Sequence, residues 1–250
     1  MSNAQTNANP LGHERIGKLL TRYAVPSIIS LIINSLYNMV DQIFIGQGVG
    51  FLGNGATNII APIATIAIAV STLFGDGLAA FFSLNLGRGE PEKAAKGVGN
   101  AVVSGAVISL LYTVIAIIFL KPLCILFGAT ENILPYALGY GRIIVIGFPF
   151  VIVGTVINSS IRTDGSPRYA MFSMMIGAIL NTILDPIFIF VLQWGVEGAA
   201  TATVISQLVG MLCNIAYLFR FKTIRLQKSS FAFSGRIMGR LASLGFASCF

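Results

Sequence analysis

The chain has 250 residues, of which 55% are hydrophobic and only 10% charged, with a formal net charge of +7 and a mean hydropathy of +0.83. A soluble domain of this size carries about 25% charged residues, so there is too little polar surface here to enclose a core in water, and a wholly aqueous fold is excluded. The lone His13 and the scattered cysteines Cys124, Cys213 and Cys249 offer neither a disulfide framework nor a zinc-ligand cluster.

Residues 1–14 read as a polar tail. They lack the apolar core and cleavage site of a signal peptide. Six runs then follow that can each cross a bilayer, which takes about 20 residues. Residues 23–46 form the first, with Asp41 as its one acid. Residues 57–75 form the second, and "LGRGEPEKAAK" joins it to the third, residues 97–120. The loop "KPLCILFGATENI" leads to the fourth, residues 143–161, and "RTDGSPR" to the fifth, residues 169–196, which contains Asp185. After "QWGVEG" the sixth covers residues 198–219. Such short loops leave little room for a soluble catalytic domain, and no nucleophile–base or metal set suggests an intramembrane enzyme.

If the first span runs outward from the cytoplasm, only Lys121 and Arg142 of the 16 Lys and Arg residues fall outside. That bias puts the N-terminus in the cytoplasm. It also accounts for the basic balance without a nucleic-acid partner; the partner to expect is the lipid bilayer. Residues 220–235 read as a basic cytoplasmic linker, and a new apolar run starts in residues 236–250, too short to cross. "RIMGRLASLGFAS" there echoes "RIGKLLTRYAVPS" at the start of the first span, with Arg15/Arg236, Ile16/Ile237, Leu20/Leu241 and Ser27/Ser248 in register. The expectation is a six-span lobe, residues 15–219, followed by the truncated start of a second lobe of the same orientation.

Helical spacing of three, four and seven gathers polar residues on single faces. The first span yields Ser27, Ser30, Asn34, Tyr37, Asn38 and Asp41; the second Asn58, Pro62, Thr65, Thr72, Asp76 and Ser83; the sixth Thr203, Ser206, Gln207, Gly210 and Asn214. Small polar residues of this kind can simply hold membrane helices together. A carboxylate in mid-span is another matter, since placing one at a helix centre costs roughly 2.5–3.5 kcal/mol on insertion scales. At 1.5 Å per residue, Asp41 and Asp185 both fall ~8–10 Å below the outer boundary. Thr203 enters at a similar level, and Asn181 lies one turn from Asp185. The four can meet in one outer-half pocket. Pro186, next to Asp185, cannot donate to the preceding turn and frees the carbonyl of Thr182; free backbone at this depth is tolerated where it lines a cavity. Oxygen ligands of this kind suit a proton or Na⁺. Asp76 reads as interfacial and Asp164 as a turn residue.

"AVPSIISLIINSLYNMVDQIFIGQGVG", "LGRGEPEKA", "RTDGSPRYAM" and "NTILDPIFIF", followed by "WGVEGAATATVISQ", come in an order and spacing that resemble the multidrug and toxic compound extrusion (MATE) family over nearly the whole chain. The resemblance implies an all-α, polytopic membrane protein: a six-helix bundle that is one lobe of a twelve-helix, two-lobe transporter. It implies a cation-coupling site at Asp41, Asn181, Asp185 and Thr203, with Na⁺ as a possible metal there, and bending of the first helix at Pro26. Tyr37, Tyr140 and Asn158 fall where the family's polar residues line the cavity. The implied activity is export of organic cations and amphipathic drugs against H⁺ or Na⁺ entry, with no cofactor, in the plasma membrane, in partnership with a C-terminal lobe of the same protein. A flippase for lipid-linked sugars and a non-transporting membrane scaffold are the alternatives.

Overall fold

The computed structural model describes residues 16–246, so the expected tail and residues 247–250 lie outside the described residues. Where no water reaches, each backbone N–H and C=O must find its partner within the segment, and an apolar run has the helix as its way to do so. The chain accordingly forms α1 (Ile16–Gly48), α2 (Phe51–Gly87), α3 (Pro91–Ile118), a short α4 (Leu120–Leu126), α5 (Leu134–Thr163), α6 (Pro167–Pro186), α7 (Gly195–Leu218) and α8 (Gly235–Phe246). A π-helical turn, Ile187–Val191, extends α6, and a 3₁₀ turn, Lys228–Phe231, precedes α8. Among the described residues there is no strand. Six segments are long and apolar enough to cross a membrane: Ala24–Gly48, Phe51–Gly87, Pro91–Ile118, Leu134–Thr163, Pro167–Val191 and Gly195–Leu218.

These coincide with the six predicted spans; the second runs well beyond its expected bounds at both ends, and the fourth starts well before its own. α2 has 37 residues, about 55 Å at 1.5 Å each, well beyond a hydrocarbon core of about 30 Å. A search for charge-free residues stops at Asp76, whereas the helix continues through it, because Asp76 is exposed and its carboxylate need not be desolvated. Proline opens both α3 and α6, at the position where its missing N–H costs nothing. Gly165, at φ +83°, closes the turn between α5 and α6 in a conformation that other residues rarely adopt. The segment after the third span, expected as a loop, contains α4. Leu120 and Cys124, four residues apart, bury one side of that helix in the core beneath Tyr140 and Ile144 of α5.

α5 is the central post and packs against α2, α3 and α7. Of its most apolar window 61% is buried, against 17% for α1, which lies at the edge of the bundle on α6. Without a hydrophobic force between helices in lipid, close packing must hold them together. At Gly147 a β-carbon would stand 2.8 Å from both Val204 Cγ2 and Gln207 Oε1, so its absence sets the α5–α7 distance. Apolar side chains that α3 leaves uncovered, such as Leu110, Leu111 and Ile118, face the lipid.

The expected linker is strapped to the bundle. Asp164, buried in the α5–α6 turn, accepts hydrogen bonds from Tyr217 Oη (2.7 Å), Lys222 N (2.9 Å), Thr223 N (3.0 Å) and Thr223 Oγ1 (2.5 Å). Further along, Asn100 Nδ2 donates to the carbonyl of Ala232 (3.1 Å), and Ser234 N donates to Asn100 Oδ1 (2.6 Å). α8 then lies against α2, where the glycines at Gly77 and Gly245 let the backbones touch at Leu241 and Leu73.

Candidate cation site and cavity

α1 supplies Asp41, α6 supplies Asn181 and Asp185 one turn apart, and α7 supplies Thr203. Asp185 is 0% exposed, Asn181 2% and Asp41 7%. Asn181 Nδ2 donates to Asp185 Oδ1 (3.1 Å) and to Thr203 Oγ1 (3.3 Å), tying α6 to α7. Asp41 of α1 is near enough to Asp185 for the two carboxyls to act on each other electrostatically. Tyr37 and Tyr140 lie close enough for their hydroxyls to feel both acids.

Three oxygens of this group, Asp41 Oδ1, Asp185 Oδ2 and Asn181 Oδ1, are buried with no hydrogen-bond partner. Leaving one buried polar atom unpaired costs about 1–3 kcal/mol, and more when it carries charge. Two carboxyls, an amide carbonyl and a hydroxyl form a set of hard oxygen donors, which a proton or a small hard cation satisfies and a soft metal does not.

Pro186 does not stop the chain from being helical. The turn that follows it widens to the π form, in which Leu192 N donates to the carbonyl of Ile187 at 2.9 Å. Such widened turns absorb a local break in the helical ladder. Thr182, whose carbonyl the proline was expected to free, bonds its hydroxyl back to Ala178 O at 3.0 Å. Pro26 is buried inside the continuous α1, and Ser30 Oγ donates to its carbonyl at 2.8 Å. A proline with a serine bonded back across the same turn is a site where a helix bends.

A cavity of about 190 Å³ opens beside the quartet, between α1, α5, α6 and α7. Asn181 and Thr203 belong to both the quartet and its wall. The polar stripe of α7 lines it throughout, from Thr203 past Ser206, Gln207 and Gly210 to Asn214, and α1 contributes Asn34 and Tyr37. Three sequence candidates lie elsewhere. Asn38 is exposed and donates to the carbonyl of Asn34 (2.7 Å). Tyr140 is buried in the apolar core near the two acids. Asn158 sits behind the wall, donating to Ala170 O (3.1 Å), Ser173 Oγ (3.2 Å) and Asn214 Oδ1 (3.4 Å). The stripe of α2 is not part of this cavity: Asn58, Thr65, Asp76 and Ser83 are exposed on the outside of the bundle.

Arg162 was missed. Its Nε donates to Asn158 Oδ1 (3.1 Å) and its guanidinium reaches Met174 Sδ (3.4 Å), so a cation stands behind a cavity wall that includes Ser173, Met174 and Asn214. The spacing of four from Asn158 was its available signal.

A membrane bundle that encloses a polar cavity and buries two intramembrane acids beside it has the build of a transporter, because such acids otherwise only cost stability. The MatE family pattern matches residues 26–187, and the chain belongs to that family, the MATE transporters. It is 28% identical over 207 residues to the multidrug export protein MepA of Staphylococcus saprophyticus, covering 81% of this chain and 45% of MepA. To MepA of Staphylococcus haemolyticus it is 31% identical over 209 residues, covering 82% and 45% respectively. The solved structure of MATE in complex with MaL6 superposes with a TM-score of 0.90 at 26% identity, over 98% of this chain and 54% of that one. The chain thus spans about half the length of the relatives it matches.

Proposed function

We propose that this chain is the N-terminal lobe of a cation-coupled multidrug exporter, and that Asp41, Asn181, Asp185 and Thr203 hold the coupling H⁺ or Na⁺. The observation that carries this reading is the set of three unpartnered buried oxygens on Asp41, Asp185 and Asn181, placed where Asn181 also faces the cavity. A cation entering there cancels the repulsion between the two carboxyls and draws α1 toward α6. Pro26 gives α1 a point at which to bend in response. The cavity narrows on the side of Asn34 and Tyr37, and bulky organic cations or amphipathic drugs are released outward. The energy is adequate, since one charge moving through 100 mV yields about 2.3 kcal/mol.

The distribution of Lys and Arg supports a plasma-membrane protein with its N-terminus in the cytoplasm. In this reading residues 15–219 form the lobe, residues 220–235 link it to its partner lobe, and α8 begins that partner. The relatives, about twice as long, support a second lobe in the same protein.

The test uses the complete transporter in liposomes with an imposed H⁺ or Na⁺ gradient, each alone. Asp185→Asn removes one acid with little change in shape, and gradient-driven export should fall by about two orders of magnitude or more, as when a group that must bind the driving ion is lost. Export at the unaltered rate under both gradients would refute the assignment. Loss under one gradient only, with the wild type inactive under the other, identifies the ion.

A further inference from the structure

At the end of the bundle where α5 turns into α6, a second and larger hollow of about 800 Å³ opens to the outside. It is separate from the cavity beside the acids. Its walls are the start of α1 (Thr21, Val25), the first turn of α6 (Pro167, Arg168, Tyr169), the end of α7 (Tyr217) and the first linker residues (Arg220, Lys222). We propose that this hollow is a binding site for the headgroup of an acidic phospholipid, with Arg168, Arg220 and Lys222 holding its phosphate.

The charge is the first argument. Three cations from two different parts of the chain converge on one hollow, and among the described residues none of them is in an ion pair. The carboxylate that holds the backbone of Lys222 is already committed. Asp164 is 2% exposed, and its two oxygens accept from Tyr217 Oη, Lys222 N, Thr223 N and Thr223 Oγ1. It therefore fixes the backbone that carries Lys222 while leaving that residue's ammonium to an outside anion. Two guanidiniums can each grip a phosphate with paired N–H donors, and a lysine adds a point charge.

The apolar part of the lining is the second. Tyr169 and Tyr217 lie with ring centroids 4.8 Å apart and planes tilted by 48°, and their hydroxyls donate to Cys213 O (2.8 Å) and Asp164 Oδ2 (2.7 Å). What faces the hollow is ring surface, together with Val25 and Pro167. A small soluble phosphate ester gains nothing from such walls, whereas a glycerol backbone and the top of an acyl chain do.

Depth is the third. The apolar helices α6 and α7 begin and end beside the hollow, at Pro167 and Leu218, and the basic linker follows directly, which puts the hollow near the membrane–water boundary. From its mouth the apolar side chains of Val25, Ile28 and Ile32 run exposed along α1, at 48%, 53% and 53%, as a track for the acyl chain. In the orientation proposed above, this is the cytoplasmic leaflet, where basic pockets between helices meet anionic lipids.

The test is native mass spectrometry of the full chain in mild detergent, offered equal amounts of phosphatidylglycerol and phosphatidylcholine, without drug or ion gradient. Its outcome is thus independent of whether Asp185 couples transport. Wild type should retain phosphatidylglycerol about tenfold over phosphatidylcholine, a preference in line with the pull of a few basic residues on an anionic lipid. R168Q/R220Q/K222Q should bring the two to parity with its helical circular dichroism unchanged, R168K/R220K should keep most of the preference, and R236Q/R240Q should leave it intact. Equal retention of both lipids by wild type overturns the proposal, as does an equal loss in R236Q/R240Q. Displacement of the lipid by low concentrations of glycerol 1-phosphate also overturns it, in favour of a soluble phosphate ester.

Discussion

Asp164 offers the sharpest test of how the linker is held. Its two oxygens take four donors, at 2.5, 2.7, 2.9 and 3.0 Å, within a pocket where the residue is 2% exposed. A hydrogen bond to a charged group contributes about 1.5–3 kcal/mol, but four bonds to one carboxylate share its charge and do not add. The better guide is the cost of stranding buried donors, about 1–3 kcal/mol for each one that water cannot reach, which gives about 3–5 kcal/mol for this group. Asp164→Ala leaves the Tyr217 hydroxyl and the two N–H groups of Lys222 and Thr223 without their acceptor, so the loss belongs at the upper part of that range. For a chain of this size each kcal/mol corresponds to about 2–4 °C, giving a fall in Tm of about 8–20 °C. The assay is thermal unfolding in detergent followed by size-exclusion chromatography, with limited proteolysis between residues 219 and 235 as a local readout. Tyr217→Phe removes one donor and should cost about 1 kcal/mol, roughly 2–4 °C. If Asp164→Ala shifts Tm by less than the Tyr217→Phe change, the four bonds do not hold the linker and the reasoning fails.

Two further substitutions probe the packing. Gly147→Val would press a branched side chain into Val204 and Gln207, whose nearest atoms already stand 2.8 Å from where its β-carbon would be. Forcing α5 from α7 should cost about 1–3 kcal/mol, read as a lower unfolding temperature, and should perturb the cavity wall at Gln207. At Gly77 the obstacle is the backbone carbonyl of Leu241, which has no rotamer by which to yield. Gly77→Ala should therefore detach α8 from α2 while leaving the six spans intact, seen as about tenfold faster or greater amide exchange confined to Gly235–Phe246. Unchanged exchange in α8 would show that the contact with α2 does not hold it.

The parts of this molecule that could be read from its residues are those fixed by short-range rules. An apolar run of sufficient length becomes a span whatever its neighbours are, and Asn181 and Asp185 share a face because four residues make one turn. A shared depth made it possible for those two to meet Asp41 and Thr203, since a bilayer orders helices along a common axis, and the family resemblance singled out the four. Direction around a helix is harder to read. The stripe of α7 faces the cavity and that of α2 faces outward, although the spacing is the same in both. Periodicity defines a face without saying which helix it meets. Asp164 shows a related gap: its donors lie 53 to 59 residues away, and an aspartate before a glycine is already explained by a turn.

The three buried acids among the described residues can nevertheless be told apart once their partners are known. Asp164 is saturated with donors and can only hold structure, because any cation would have to compete with four hydrogen bonds for its oxygens. Asp41 and Asp185 each keep an oxygen without a donor, facing an amide oxygen in the same condition. Burial that leaves carboxyl oxygens unpaired is a standing cost to the fold. A sequence that needed only stability would have relieved it with one more donor, such as a serine at a neighbouring turn, as it did for Asp164 with Thr223. That difference in hydrogen bonding, more than the presence of acids in a membrane, is what supports the proposed ion coupling by the pair on α1 and α6 and a structural role for the acid in the turn.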